Sequence, residues 1–262
     1  MFGFRTSGGL SLGQKLGGVL LLPLALAGYL ISKDVYSNYR QIEEIENVKT
    51  LPSYFEGMSN AIHELQKERG MSAGFLSSNG QKFETQLKQQ QLLVDNAIVA
   101  LSGVRNNVTD TLHAGIDEVL ARAGELTSTR RRVAAQTLSV GDTISTYSGL
   151  IAEILNQVGA VSRTVNNGEI AGMAAGFHSI LNIKESAGVE RALLASVHAS
   201  KELQQARYER IARLAESQRA NIGNFLAGAN EEQRVRLTRL LESAGYKEAL
   251  GTRNIVLDLA RQ

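Results

Sequence analysis

Pro23 and Pro52 are the only prolines in the chain, and from Pro52 onward the backbone meets no other before Gln262. Proline is the residue that most effectively stops a helix, because it lacks the N–H donor and its ring clashes with the preceding turn. A long proline-free stretch rich in Ala, Leu, Glu, Gln and Arg therefore favours long helices. No segment sustains the period-two alternation of a half-buried strand. Aromatic residues are 5% of the chain and tryptophan is absent, which is sparse for a β-sandwich or barrel. The expected fold is all-α: an antiparallel helical bundle, either one four-helix bundle or two sharing long helices. A chain of 262 residues is long enough to bury a substantial core.

Breaks between the helices are marked by turn residues. Ser77-Ser78-Asn79-Gly80 and Asn166-Asn167-Gly168-Glu169 are the clearest, and weaker breaks fall near Asn106-Asn107, Gly124, Gly228-Ala229-Asn230 and Ala244-Gly245. Pro52 disfavours helix at Leu51 and itself suits a first helical turn. Between Glu202 and Arg219 charges of both signs alternate, the pattern of a solvated helix face.

The run from Leu16 to Ile31 carries no charge and is bounded by Lys15 and Lys33. It is slightly short of the ~20 apolar residues of a spanning helix, and Tyr29 with snorkelling lysines can make up the difference. Ala25-Leu26-Ala27 resembles a signal-cleavage site but lies inside the apolar run, so an uncleaved anchor is the preferred reading. Arg5 and Lys15 then keep the N-terminus cytoplasmic by the positive-inside rule. The resulting plan is a cytoplasmic tail over 1–14, a transmembrane anchor over 15–33, a juxtamembrane helix over 34–54, a helical sensing domain over 55–245 and a C-terminal helix over 246–262. It places the domain in the periplasm, anchored to the bacterial inner membrane.

Helical spacing picks out buried-face arginines. Met58, Ile62, Leu65, Arg69, Ser72 and Leu76 fall on one stripe, so Arg69 occupies a core position. Arg130 falls on a second stripe running from Leu126 through Val133, Thr137, Val140, Ile144, Tyr147 and Ile151 to Ile154. On a third, marked by Ile180, Ala187 and Leu194, Glu190 and Arg191 flank the stripe and periodicity does not choose between them. A buried arginine must find an anionic partner. That partner can be a neighbouring carboxylate, or the arginines can converge on a small anion. Guanidinium is flat, permanently charged and able to donate two parallel hydrogen bonds, which suits a planar oxyanion. Gly70, Gly74 and Gly188 would allow close backbone approach, and Ser72 offers a hydroxyl.

At these residues a family resemblance emerges. Leu65-Gln66-Lys67-Glu68-Arg69-Gly70-Met71-Ser72 with Phe75-Leu76 resembles the opening signature of the nitrate- and nitrite-sensing domain family. That family occurs in bacterial chemoreceptors, sensor kinases and transcription antiterminators. The resemblance continues through Val94-Asp95-Asn96-Ala97, Arg130 with Val133, and Tyr147-Ser148-Gly149-Leu150-Ile151. It ends in Lys184-Glu185-Ser186-Ala187-Gly188-Val189-Glu190-Arg191-Ala192 and spans roughly 55–245. It implies an all-helical domain that binds nitrate or nitrite between helices through arginines. The role carries over to Arg69 and Arg191, with Arg130 second, and favours Arg191 over Glu190 as the inward group. The chain departs from the family at Gln91, where arginine is common.

The expected function is thus the periplasmic sensor domain of a transmembrane receptor, binding nitrate or nitrite as a homodimer and signalling through the membrane helix. The alternatives are a helical receptor for another small anion such as a carboxylate, or a structural module whose arginines form internal salt bridges. The formal charge is +2, from 28 basic and 26 acidic residues, which provides no broad basic surface for nucleic acid. With no cysteine, disulfides, thiolate metal sites and cysteine nucleophiles are excluded. His63, His113, His178 and His198 lack metal-ligand spacing and are read as surface or packing residues. Neither a phosphate loop nor a catalytic triad is recognisable, so no cofactor, metal or enzymatic activity is expected.

Overall fold

The computed structural model describes residues 49–108, 110–165, 167–200 and 204–259. These residues are helical, without strands. Helix α1 occupies 49–77 and is followed by α2 (Glu84–Arg105), α3 (Asp110–Ala123), α4 (Leu126–Ala134), α5 (Val140–Thr164), α6 (Gly168–Ser200), α7 (Gln205–Gly228), α8 (Glu231–Leu241) and α9 (Ala244–Leu259). The anchor expected over 15–33 lies outside the described residues. Among those described, no helix is long and apolar enough to cross a membrane.

The expected turns form where the local chemistry places them. After α1 the chain passes through Asn79 and Gly80 at φ 51° and 79°, the left-handed region open to glycine and tolerated by asparagine. Asn167 Oδ1 accepts from the backbone N–H groups of Glu169 and Ile170, capping α6. Asn230 and Gln233 form a reciprocal capping box at the start of α8.

Two local expectations fail. The described part of α1 includes both Leu51 and Pro52, and Leu51 is buried in the main core, so packing outweighs the local bias against helix there. The stripe from Leu126 to Ile154 is not one helix. Gln136, at φ 54°, ends α4, and Ser139 caps α5 by accepting from the Asp142 N–H. Thr137 is consequently exposed, and Val140 and Ile144 are only half-buried.

One core is built from α1, α2, α3, α5 and α6, with Leu126 at the start of α4. It contains Met58, Ile62 and Leu65 from α1, Val94 and Leu101 from α2, Ile116 and Val119 from α3, Tyr147, Ile151 and Ile154 from α5, and Leu181 from α6. A second cluster joins Phe75, Leu87, Val133 and Leu138 at one end of α1. A third joins Val197, Ile211 and Val256, from α6, α7 and α9. Helix α6 packs against both α5 and α7. It is therefore apolar on more than one side, and its buried residues include Ala174, Leu181 and Val189, while Ala187 is exposed. A single stripe could not describe it.

Gly159 of α5 and His178 of α6 are matched by size: a Cβ at Gly159 would sit 3.0 Å from the imidazole Nε2. Burial, with a further contribution from Arg163, holds the His178 pKa below its usual value of 6.5. A base whose pKa is depressed on folding binds fewer protons folded than unfolded, so its protonation opposes folding. Stability linked to His178 is therefore complete above pH 6.5 and is lost as the pH falls below it. The stability–pH curve of His178→Gln, measured by urea unfolding between about pH 5 and 8, where an ordinary histidine titrates, should be flatter than that of the parent. An identical slope in the two proteins would remove His178 as the cause.

Candidate functional site

Arg69 is 5% exposed despite its charge. The α1 stripe aims its side chain between α5 and α6, where Nη1 donates to Ser148 Oγ at 2.7 Å. Both terminal nitrogens also engage Glu185 of α6, Nη1 in a short contact and Nη2 at 3.1 Å from Oε2. Gln66 Nε2, one turn earlier on α1, donates to the same Glu185 oxygen at 2.9 Å. Opposite the guanidinium lies Gly188, where an added Cβ would come 3.4 Å from Arg69 Nη2. Gly188 thus keeps the space beside the guanidinium open. Gly70 does not play that part: it is exposed, and a Cβ there would meet nothing within 4 Å. Gly74 does receive a close neighbour, the ring of Phe83, which would lie 2.6 Å from its Cβ.

Glu68 points the other way around α1 and is fully buried. Its carboxylate accepts from Arg130 Nε and Nη2, each at 2.8 Å, and from the Tyr147 hydroxyl at 2.6 Å. Arg130 Nη1 also reaches Asp95 at 2.6 Å, and Nη2 reaches the Gln91 carbonyl at 3.2 Å. All three guanidinium nitrogens of Arg130 are therefore engaged. Burial alone would lower its pKa, but Glu68 and then Asp95 overcome that and raise it. Burial, reinforced by the Glu68 carboxylate, pushes the Tyr147 phenol well up, so Tyr147 remains a proton donor. Ser72 Oγ is buried beside Tyr147 without a well-formed hydrogen bond. Gln91 meets Arg130 through its backbone carbonyl, an atom that every residue type carries.

A third polar cluster centres on Glu190, 4% exposed. Its carboxylate is clasped by Arg253 of α9, with Nη2 at 2.6 Å from Oε2 and Nε in a short contact with Oε1. Gln218 of α7 donates to Glu190 at 2.5 Å and accepts from Arg253 at 2.6 Å. The inward group is thus Glu190, and Arg191 is exposed, which corrects the orientation expected for this pair. The reason lies in α9: Arg253 supplies the charge that makes a buried Glu190 tolerable. Arg253 was missed because its stripe sits in a short helix with many exposed apolar and polar neighbours. A lone arginine there reads as solvated.

Around the Arg69 site, Lys184 Nζ lies 3.2 Å from His63 Nδ1. Burial lowers the Lys184 pKa against the opposing pull of Glu64 and Glu185. Burial and then Lys184 lower that of His63. Among the described residues no cluster of His, Asp or Glu could hold a metal ion.

The family model described as nitrate and nitrite sensing matches residues 60–262. The chain belongs to the nitrate and nitrite sensing family. The nitrate regulatory protein of Klebsiella oxytoca is 28% identical over 158 residues, which is 59% of this chain and 39% of that protein. This chain therefore spans well under half the length of that curated relative. The solved structure of the NasR transcription antiterminator superposes with a TM-score of 0.71 at 20% identity, covering 86% of this chain and 71% of the NasR chain. That likeness establishes the shared helical fold.

These relatives overturn part of the functional expectation. One is a nitrate regulatory protein and the other a transcription antiterminator. The reading as the periplasmic half of a membrane receptor, with the membrane as partner and the inner membrane as location, is corrected on that ground. So is the exclusion of nucleic acid as a partner, because the structural neighbour is a transcription antiterminator and a near-neutral total charge does not bear on that. Within the family fold, the residues expected to form the site separate. Arg69 and Gly188 come together between α1, α5 and α6, where the structure adds Ser148 and Glu185; Arg130 and Ser72 lie at the Glu68–Tyr147 cluster; Arg191 and Gly70 face solvent.

Proposed function

We propose that this chain is the anion-sensing part of a regulator, binding nitrate or nitrite at Arg69 between α1, α5 and α6. The observation that carries the reading is the position of Arg69: a nearly buried guanidinium whose fork faces a planar two-oxygen anion, in a chain of the nitrate and nitrite sensing family. Nitrate presents the same planar edge as the carboxylate that Arg69 now holds. Guanidinium is weakly hydrated and matches such an edge bidentately. Ser148 and Gln66 add neutral donors around it. Arg130 and Arg253 serve a different purpose in this reading, holding helices together through buried carboxylates. A ligand shifts the balance between helix arrangements only by its differential affinity for them. Contacts shared among three helices give nitrate that leverage.

The test is thermal unfolding of the chain in nitrate, nitrite, chloride, sulfate and acetate at constant ionic strength. At 100 times its dissociation constant a ligand adds ~2.7 kcal/mol of stability. Nitrate or nitrite is expected to stabilise selectively, and Arg69→Ala is expected to abolish that increment while the far-ultraviolet spectrum stays helical. An increment that survives in Arg69→Ala would displace the site. Equal effects of all anions would remove nitrate sensing from this chain.

A further inference from the structure

We propose that Glu185 is the resident anion of this site: its carboxylate occupies the face of Arg69 that nitrate takes, and nitrate binds by displacing it. The proposal rests on Arg69 being the nitrate-binding residue and goes on to say what sets the affinity and what moves. Arg69 has its fork already filled, with Nη1 and Nη2 both on the Glu185 carboxylate. An incoming anion needs that edge, so it cannot simply add to the pair.

Two features separate Glu185 from the buried carboxylates of Glu68 and Glu190. Its side chain is 13% exposed, against 0% for Glu68 and 6% for Glu190, so of the three it has the most direct route into water. Its other partner Gln66 is neutral, as Tyr147 is at Glu68 and Gln218 at Glu190; Gln66, and the Ser148 hydroxyl that now accepts from Arg69, can both donate to a nitrate oxygen. And Gly188, three residues further along α6, leaves the volume beside Arg69 Nη2 free of a side chain. Glu68, with Arg130 and the Tyr147 hydroxyl, and Glu190, with Arg253 and Gln218, are held deeper. Releasing either would strand a charge in the interior. A released Glu185 has Lys184 within electrostatic reach.

The exchange conserves charge at Arg69 and frees a carboxylate on α6. Binding therefore breaks a tie between α1 and α6 as it makes the nitrate contacts, which converts anion capture into a change in how α6 is held. The same logic sets affinity: the observed dissociation constant contains the cost of parting Glu185 from Arg69.

Nitrate binding to the whole chain, measured by calorimetry, tests this with Glu185→Gln and Glu185→Asp beside the parent. Glu185→Gln keeps the shape and removes the competing charge, so nitrate should bind at least about tenfold more tightly, a factor typical of losing one close charge pair. Glu185→Asp keeps the charge but shortens its reach, and should tighten binding by less. This second variant keeps the comparison available if glutamine at 185 compromises folding. Parent protein that binds nitrate, with a folded Glu185→Gln that binds equally or less tightly, would overturn displacement while leaving the nitrate reading intact. If Glu185→Gln binds nitrate and the parent does not, nitrate fails to displace Glu185 in the parent and the displacement proposal is overturned. If no variant binds nitrate, the site assignment falls and this proposal with it.

Discussion

Arg130→Ala is expected to destabilise the domain by about 3–5 kcal/mol, the range for breaking a buried ion pair by removing one partner. The cost arises at Glu68. With the guanidinium gone, a fully buried carboxylate keeps only the Tyr147 hydroxyl as donor. Asp95 contributes little to the loss, because its side chain is 52% exposed and returns to water. For a chain of this size, each kcal/mol moves the midpoint by about 2–4 °C, so Tm should fall by roughly 6–20 °C. Calorimetric melting measures it directly. A companion variant, Glu68→Gln with Arg130→Met, removes both charges and should recover much of the loss, because the interior no longer holds an unpaired ion. A Tm within 2 °C of the parent for Arg130→Ala alone, a change that corresponds to under about 1 kcal/mol, would show that Glu68 is not held as described. The nitrate-dependent increment should persist in this variant, which separates a structural arginine from a ligand-binding one.

Arg253→Ala should cost about 3 kcal/mol by the same mechanism, but in one region. Arg253 ties α9 to Glu190 of α6 and Gln218 of α7 across a cluster in which both partners are nearly buried. Removing it leaves Glu190 with Gln218 as its remaining donor. Helix α9 otherwise contributes Val256, with Leu257, to the small apolar cluster it shares with α6 and α7. A helix held by so few contacts opens on its own, before the main core does. Amide exchange followed by mass spectrometry should show protection lost across 244–259 and reduced near Glu190 and Gln218. Protection in α1, α2 and α3 should be unchanged. Uniform loss across all helices would mean that α9 belongs to the cooperative core; unchanged protection in α9 would remove the Arg253 cluster as its anchor.

Both predictions concern pairs that no local pattern announces. Arg130 and Glu68 are 62 positions apart, and Arg253 and Glu190 are 63 apart. Spacing within a helix reports which way a side chain faces, not what it meets. The stripe through Met58, Ile62, Leu65, Arg69 and Ser72 was legible because all five are buried along one side of α1, at helical intervals. The α6 stripe was not, because that helix is buried on two sides and its inward residues follow two neighbours at once. Periodicity left Glu190 and Arg191 undecided there for the same reason, and the resemblance favoured Arg191; the inward residue is the one that meets Arg253, which arrives from the far end of the chain.

What the sequence by itself determined is therefore the local and periodic part. Scarce proline and strong helix formers set the helical class. Asn79-Gly80, Asn167 and Asn230 placed breaks through their own backbone and capping chemistry, and the block from Leu65 to Ser72 marked Arg69 as an inward cation in a chain of the nitrate and nitrite sensing family. What only the tertiary structure decided is the pairing: Arg69 with Glu185, Arg130 with Glu68, Arg253 with Glu190. Each joins helices distant in sequence, and the free energy of a buried charge depends on the partner that packing brings to it.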